Sequence, residues 1–162
     1  SEPIVVPNRV NTIIEFVKNG GGFLMCGGWL SFCGKMGVGG WHKTDLVDIL
    51  PVKLFNYDDT VETPEGAHVK VVNFNHSVTE GIRWDTIPPF LGYNRTLARE
   101  DGEVLATIGK RDDPLIAVRS YGKGRTMIFS SDPVLHWGYN FINWPEYSKF
   151  WIQAVKWLSR EF

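Results

Sequence analysis

Residues 20–32 read GGGFLMCGGWLSF, a short apolar run set between two glycine turns. A run of this length is typical of a strand buried on both faces, as the strands of a parallel sheet are. Upstream, apolar residues recur at helical spacing over residues 8–18, with Pro7 and Asn8 where a helix would begin. Helix, glycine turn, buried strand and glycine turn form half of an α/β unit, so the stretch predicts the α/β class.

The rest of the chain continues this pattern less regularly. Neither a linker nor an internal repeat is evident, so residues 1–162 are interpreted as a single domain. The predicted elements are a short capped helix over 44–50, two extended stretches within 52–72 joined by a turn at Thr63–Gly66, a proline-marked loop over 86–95, strands at Val104–Ile108, Leu115–Arg119 and Thr126–Ser130, a turn at 121–124, and an amphipathic helix over Pro145–Phe162.

Composition excludes several classes of protein. The 162 residues carry 17 basic and 18 acidic side chains, a net charge of -1, which excludes a strongly basic nucleic-acid binder. No apolar run is long enough to span a membrane. Two cysteines are too few for a disulfide scaffold, and we expect reduced thiols in the cytoplasm. No histidine or cysteine pair has metal-ligand spacing, so we predict no metal and no cofactor.

Two predicted strand ends carry polar or glycine residues, and ligand sites in open α/β sheets collect at such ends. After the first strand, Gly28, Trp29 and Ser31 follow one another closely; the alternative is a tight turn without a ligand. After the last strand, Asp132 and His136 are an acid and an imidazole suited to acid-base work or to holding a polar ligand. The alternative for His136 is a histidine that anchors its own loop.

Further candidates lie outside these two strand ends. Tyr93, Asn94 and Arg95 together can bind a carboxylate, an amide or sugar hydroxyls, and Trp137 is one of several tryptophans that can stack on a flat ligand. Cys26 and Cys33 are candidate nucleophiles, although a cysteine at the end of a buried strand is usually an inert apolar thiol.

Several segments, taken as a set and in order, resemble a family of bacterial cytoplasmic proteins named for glutamine amidotransferases. That family has a class I glutamine amidotransferase-like fold related to the ThuA-like trehalose-utilisation proteins. The segments that carry the resemblance are Gly20–Met25, Gly27–Phe32, Leu50–Val52, Asp58–Asp59, Leu91–Arg95, Gly122–Arg125, Ser131–Asp132 and His136–Gly138.

The resemblance implies a three-layer, flavodoxin-like sandwich with a mostly parallel central sheet. It also implies that this chain lacks the N-terminal strands of longer members and corresponds to their later two-thirds. We therefore expect either a homo-oligomer or association with that N-terminal segment. An uncovered sheet edge would otherwise be open to pairing.

The same resemblance weakens the implied glutaminase activity. Class I amidotransferases carry their cysteine in a G-x-C-x-G elbow, and aligning that elbow on residues 27–31 places Trp29 at the nucleophile position. Cys26 then lies three residues too early and Cys33 four too late, and Ser131–Pro133 replaces the late His-Pro-Glu.

Three hypotheses remain open. The first is an amidotransferase-like domain without glutaminase activity that binds a small polar metabolite or sugar. The second is an amidase, hydrolase or glutamine amidotransferase that uses Cys26 or Cys33 with His136 as base. The third is a non-catalytic structural or interaction subunit.

Overall fold

The computed structural model describes residues 9–161. Within them, α-helices and β-strands alternate with long irregular segments that contain only short 3₁₀ helices. The elements are α1 (Arg9–Lys18), β1 (Gly22–Cys26), β2 (Val52–Leu54), β3 (Thr60–Ala67), β4 (Val69–Val71), β5 (Phe90–Asn94), β6 (Thr96–Ala98), β7 (Glu103–Ile108), β8 (Asp113–Tyr121), β9 (Gly124–Phe129) and α2 (Tyr147–Ser159).

The main sheet has five strands in the order β1-β9-β8-β7-β4. Only β1 and β9 are parallel, whereas the other three pairings are antiparallel. The described sheet is therefore mixed and not mostly parallel as predicted. Two small antiparallel ladders, β2 with β6 and β3 with β5, lie outside it.

Apolar side chains cover both faces of the main sheet because successive strand residues point to opposite sides. On β9, Ile128 belongs to a cluster that includes Val17 of α1. Its neighbour Phe129 belongs to a second cluster that includes Phe150 of α2. The mixed α/β architecture thus places one helix against each face.

The two longer predicted helices are present. The helix over 8–18 is confirmed from Arg9 onward, and its predicted start at Pro7 and Asn8 lies outside the described residues. The terminal helix begins at Tyr147, two residues after Pro145, and Arg160 ends it in the left-handed conformation. Its predicted last residue, Phe162, is also outside the described range.

Three local predictions need correction. The predicted turn at Thr63–Gly66 lies inside β3, where the pairing with β5 shifts register between Glu62 and Ala67. The predicted loop over 86–95 contains strand β5. The predicted helix over 44–50 is a 3₁₀ helix, Asp45–Asp48. By contrast, β1, β7, β8 and β9 confirm the predicted strands.

Candidate functional site

The turn after β1, residues 27–31, is called the elbow here. The Gly27 amide donates to the carbonyls of Phe129 (2.8 Å) and Ser131 (3.0 Å), which keeps the ends of β1 and β9 together. Gly28 has a φ of 141°, in the region that favours glycine. The chain then continues through turns and 3₁₀ helices, so no α-helix begins behind Trp29. A nucleophile elbow requires a strand-to-helix turn, and the elbow here has a different geometry.

A buried amide and a buried carboxylate hold the elbow from below. Asn94, at the end of β5, accepts the Gly28 amide at its Oδ1 (2.7 Å) and donates from its Nδ2 to Asp59 Oδ1 (2.8 Å). Asp59 also accepts the backbone amides of Cys33 (2.8 Å) and Gly34 (3.0 Å). Burial raises the pKa of Asp59, although these hydrogen bonds oppose the shift. Neither Asn94 nor Asp59 has accessible surface, so both act on the elbow by positioning it.

The late loop brings Asp132 and His136 together beside the elbow. The His136 Nδ1 lies 2.5 Å from Asp132 Oδ2. Because a carboxylate can only accept, Nδ1 carries the proton, and Nε2 of the neutral ring is then an acceptor. The ring is held between two indoles, with Trp29 edge-on at 4.9 Å and Trp137 stacked at 5.1 Å. The histidine side chain is 37% exposed, so its outer edge is accessible.

Glu62 of β3 joins these two indoles. Its carboxylate accepts Trp29 Nε1 at 2.8 Å and Trp137 Nε1 at 3.0 Å. Trp137 is buried against Gly92, where a Cβ would lie 2.3 Å from the indole nitrogen. Sequence reasoning missed Glu62, and no local signal marks it because its partners lie 33 and 75 residues away along the chain.

Other predicted residues are placed elsewhere. Tyr93 and Asn94 are neighbours on a strand and therefore point to opposite faces. The Tyr93 hydroxyl donates to Asp113 Oδ2 (3.0 Å), and Arg95 Nε pairs with Asp113 Oδ1 (3.4 Å). Burial, with the Asp113 carboxylate, raises the pKa of Tyr93 to about 12. Ser31 donates its hydroxyl to the Cys26 carbonyl and so stabilises the turn.

Both thiols are in surroundings that disfavour a thiolate. Burial, and then the carboxylate of Asp132, raises the pKa of Cys26 from 9.0 to about 12. Cys33 is fully buried, and burial followed by the Asp59 carboxylate raises its pKa as well. Activated cysteines lie in electropositive surroundings that lower the pKa, so these thiols differ from activated ones.

The arrangement combines an oriented imidazole, a carboxylate and an exposed indole. Trp29 is 44% exposed, and the Lys35 ammonium lies 3.9 Å from the centre of its ring. Within residues 9–161, no three His, Cys, Asp or Glu side chains are grouped so that they could hold a metal ion. The site can therefore offer hydrogen bonds and a stacking surface to a polar ligand.

A protein-family model described as "Putative glutamine amidotransferase" matches residues 2–160. The chain belongs to this glutamine amidotransferase-like family. No curated protein sequence matches the chain. None of the helices in residues 9–161 has the length and apolarity needed to cross a membrane.

Two solved structures are similar to this chain in both sequence and fold. The cytoplasmic protein STM3548 from Salmonella typhimurium is 41% identical over 95% of this chain, with a TM-score of 0.89. The cytoplasmic protein STM1381 from Salmonella typhimurium LT2 is 36% identical over 95%, with a TM-score of 0.88. This chain spans 61% and 62% of those two proteins.

A more distant structure carries the fold similarity further. A ThuA-like protein from Bacteroides uniformis is 15% identical over 94% of this chain and 64% of its own, with a TM-score of 0.63. At that identity the likeness concerns the fold alone. It shows that this chain shares its fold with a ThuA-like protein.

Proposed function

We propose that this amidotransferase-like chain binds a small polar ligand, a sugar or a similar hydroxylated metabolite, at the elbow and does not hydrolyse glutamine through a cysteine. The observation that carries the proposal is His136. Asp132 fixes its Nδ1 proton and two indoles contact its ring, while the side chain as a whole stays 37% exposed. A side chain oriented this fully, yet left partly exposed, is suited to contacting a ligand.

The contacts expected for such a ligand follow from the exposed atoms. A sugar ring stacks on the open part of Trp29, and its hydroxyls bond to His136 Nε2 and to the free lone pairs of Asp132. Lys35 adds a donor above the same indole. Asn94 contributes indirectly because both ends of its amide are already bonded.

Two features support the absence of cysteine-dependent glutaminase chemistry. Residues 32–51, which follow the elbow in the described structure, form turns and 3₁₀ helices, so the strand-to-helix turn that presents a nucleophile is missing there. Both thiols have raised pKa values, so little thiolate forms near neutral pH. An indole at Trp29 cannot attack an amide carbonyl.

The first test is labelling with iodoacetamide and with a glutamine-mimicking chloroketone, read by peptide mass spectrometry. At pH 8 a thiol whose pKa rises from 9.0 to about 12 has roughly 1000-fold less thiolate than an ordinary one. We therefore expect Cys26 and Cys33 to stay unlabelled in the folded chain and to react fully in denaturant.

Cys26→Ser and Cys33→Ser, made singly, assign any label to its residue. The proposal would be contradicted if the chloroketone labelled one cysteine selectively, if this labelling saturated, and if free glutamine blocked it. That result would support instead the alternative in which that cysteine, with His136, acts on an amide.

The second test is ligand binding by a His136→Ala variant. Glucose and gluconate, a neutral and an anionic polyol, are titrated against the protein while its tryptophan fluorescence is followed. Loss of the imidazole removes a hydrogen bond of about 1 kcal/mol and unclamps Trp29, so we expect binding to weaken at least about tenfold.

Lys123→Ala is the control, because Lys123 is exposed and precedes β9, at the opposite end of that strand from the elbow. Arg95→Ala, measured in parallel, tests whether the ligand reaches the Asp113 side. Equal binding by wild type, His136→Ala and Lys123→Ala would reject the elbow as the binding site.

A second candidate function, an interaction subunit, is favoured by the apolar surface beside the elbow. Leu30, Met36 and Val38 are 71%, 84% and 64% exposed. Burying such side chains against a second copy or another protein would be favourable. Sedimentation velocity of the wild type and a Leu30→Ser/Met36→Ser variant tests this: we expect a self-associating wild type and a monomeric variant. If the wild type and the variant both sedimented as monomers, this result would argue against self-association.

The remaining features of the proposal concern the whole family member. We propose that further strands complete a three-layer sandwich by pairing with the free edge of β1, and that the protein acts in the cytoplasm. The cytoplasmic relatives and the position of β1 at the sheet edge support these two proposals.

A further inference from the structure

A cavity that is distinct from the elbow opens between the bulge of β3 and the turn that joins β7 to β8. Its volume is about 490 Å³, within the range of small-molecule sites. Val61, Ala67 and the Tyr93 ring give it an apolar floor, and Lys110 and Arg111 form one rim. We propose that this cavity binds a small molecule that carries one carboxylate or phosphate on an apolar body.

Two backbone features create the cavity. The pairing of β3 with β5 moves from Glu62↔Gly92 to Ala67↔Phe90. Over this interval β3 advances by five residues while β5 advances by two. The three additional residues bow outward, and such bulges are common next to functional sites. Gly66, at the end of the bulge, has a φ of 93°.

The turn on the opposite side depends on a glycine. Gly109 has a φ of 73°, and its amide donates to the His68 carbonyl at 3.0 Å. A Cβ at Gly109 would lie 2.5 Å from the Tyr93 hydroxyl oxygen, so a larger residue could not bring the turn this close. The glycine thereby lets the next two residues, both basic, line the same cavity as Tyr93.

The charges at the rim favour an anion. Among residues 9–161, the ion pairs involve neither Lys110 nor Arg111, and both side chains are exposed. Glu62 also borders the cavity and keeps its negative charge, although both of its carboxylate oxygens already accept indole N–H groups at the elbow. Besides Glu62, the lining contains one further acid, Glu65, and three basic side chains, Lys110, Arg111 and His68. An arginine beside a lysine is suited to a carboxylate or phosphate.

Binding of a naphthoate, an aromatic carboxylate, tests this proposal, with naphthyl methanol as its neutral counterpart. We expect the naphthoate to bind with amide shifts in NMR at Ala67, His68 and Gly109. A Lys110→Gln/Arg111→Gln variant should weaken binding at least about tenfold, because it removes the charge-assisted hydrogen bonds to the carboxylate. The alcohol should bind at least about tenfold more weakly to the wild type.

Lys53→Gln/Lys123→Gln is the control, because it removes the same charge at exposed positions elsewhere. His136→Ala should leave naphthoate binding unchanged, which separates this site from the elbow. Inorganic phosphate added as competitor assigns the anion: displacement points to a phosphate ligand, and no displacement to a carboxylate. Absence of naphthoate binding, or equal binding by the Lys110→Gln/Arg111→Gln variant, would overturn the proposal.

Discussion

Replacing Asn94 with alanine is expected to lower the free energy of unfolding by about 3 kcal/mol. The substitution leaves the Gly28 amide without its partner and removes one of the two hydrogen bonds that stabilise the buried Asp59 Oδ1, and an orphaned buried group costs about 1–3 kcal/mol. For a chain of this size the melting temperature should fall by about 10 °C. Urea unfolding and thermal denaturation measure the two quantities.

Asn143→Ala is the matched control, since its exposed amide makes only a 3.4 Å contact with the Tyr139 carbonyl. It should change stability by no more than about 0.5 kcal/mol. Asn94→Asp should be worse than Asn94→Ala, because it places a second carboxylate beside the already buried Asp59. Stability equal to wild type in Asn94→Ala would mean that the hydrogen bonds to Gly28 and Asp59 do not hold the elbow.

The helices and the central strands were predictable because their signals are local. Helical spacing identified α1 and α2, and short apolar runs identified β1 and β9. The same runs misled about strand direction. An apolar run reports that both faces are covered, as by the Val17 cluster and the Phe150 cluster, and antiparallel strands between two covered faces have the same composition.

Strand β5 was not predictable because its sequence has loop character. Pro88 and Pro89 precede it and Gly92 lies inside it, and all three usually mark turns. Gly92 serves a tertiary purpose, since the Trp137 indole occupies the place of a side chain. Treating 86–95 as a loop grouped Tyr93 with Asn94, whereas the strand sends one to Asp113 and the other to the elbow.

The candidate site was predictable only in part, for a related reason. The strand-end rule found Gly28, Trp29, Asp132 and His136, since both segments follow β1 and β9, which are parallel neighbours. It could not find Asp59 or Glu62, whose partners are distant in sequence and whose neighbours are ordinary strand and turn residues. Residues that support a site in this way are brought to it by tertiary packing, so no characteristic spacing in the sequence marks them.

A Gly27→Ala substitution is expected to lower the free energy of unfolding by about 3 kcal/mol or more. The new Cβ would lie 2.2 Å from the Ser130 carbonyl oxygen and 2.9 Å from Asn94 Oδ1. The Ser130 contact is with backbone, so the ends of β1 and β9 must separate, and overpacking of this kind costs about 1–3 kcal/mol and occasionally more. The separation also stretches the hydrogen bonds from the Gly27 amide to Phe129 and Ser131.

Gly81→Ala separates this steric effect from the cost of an unusual backbone. Gly81 has a φ of 67°, and a Cβ there meets only the Lys149 ammonium at 3.6 Å, so the substitution should cost only about 1 kcal/mol of left-handed strain. Chemical denaturation ranks the two variants, and the tryptophan band of the near-ultraviolet circular dichroism spectrum, to which Trp29 and Trp137 contribute two of seven indoles, reports on the elbow. Gly27 is followed directly by Gly28 and Trp29, so a shift at Gly27 should move the Trp29 indole. Gly27→Ala should therefore weaken the tryptophan band, whereas Gly81→Ala should retain it. If both variants lost equal stability and kept that signal, the close approach of β1 and β9 would not be what holds the elbow in place.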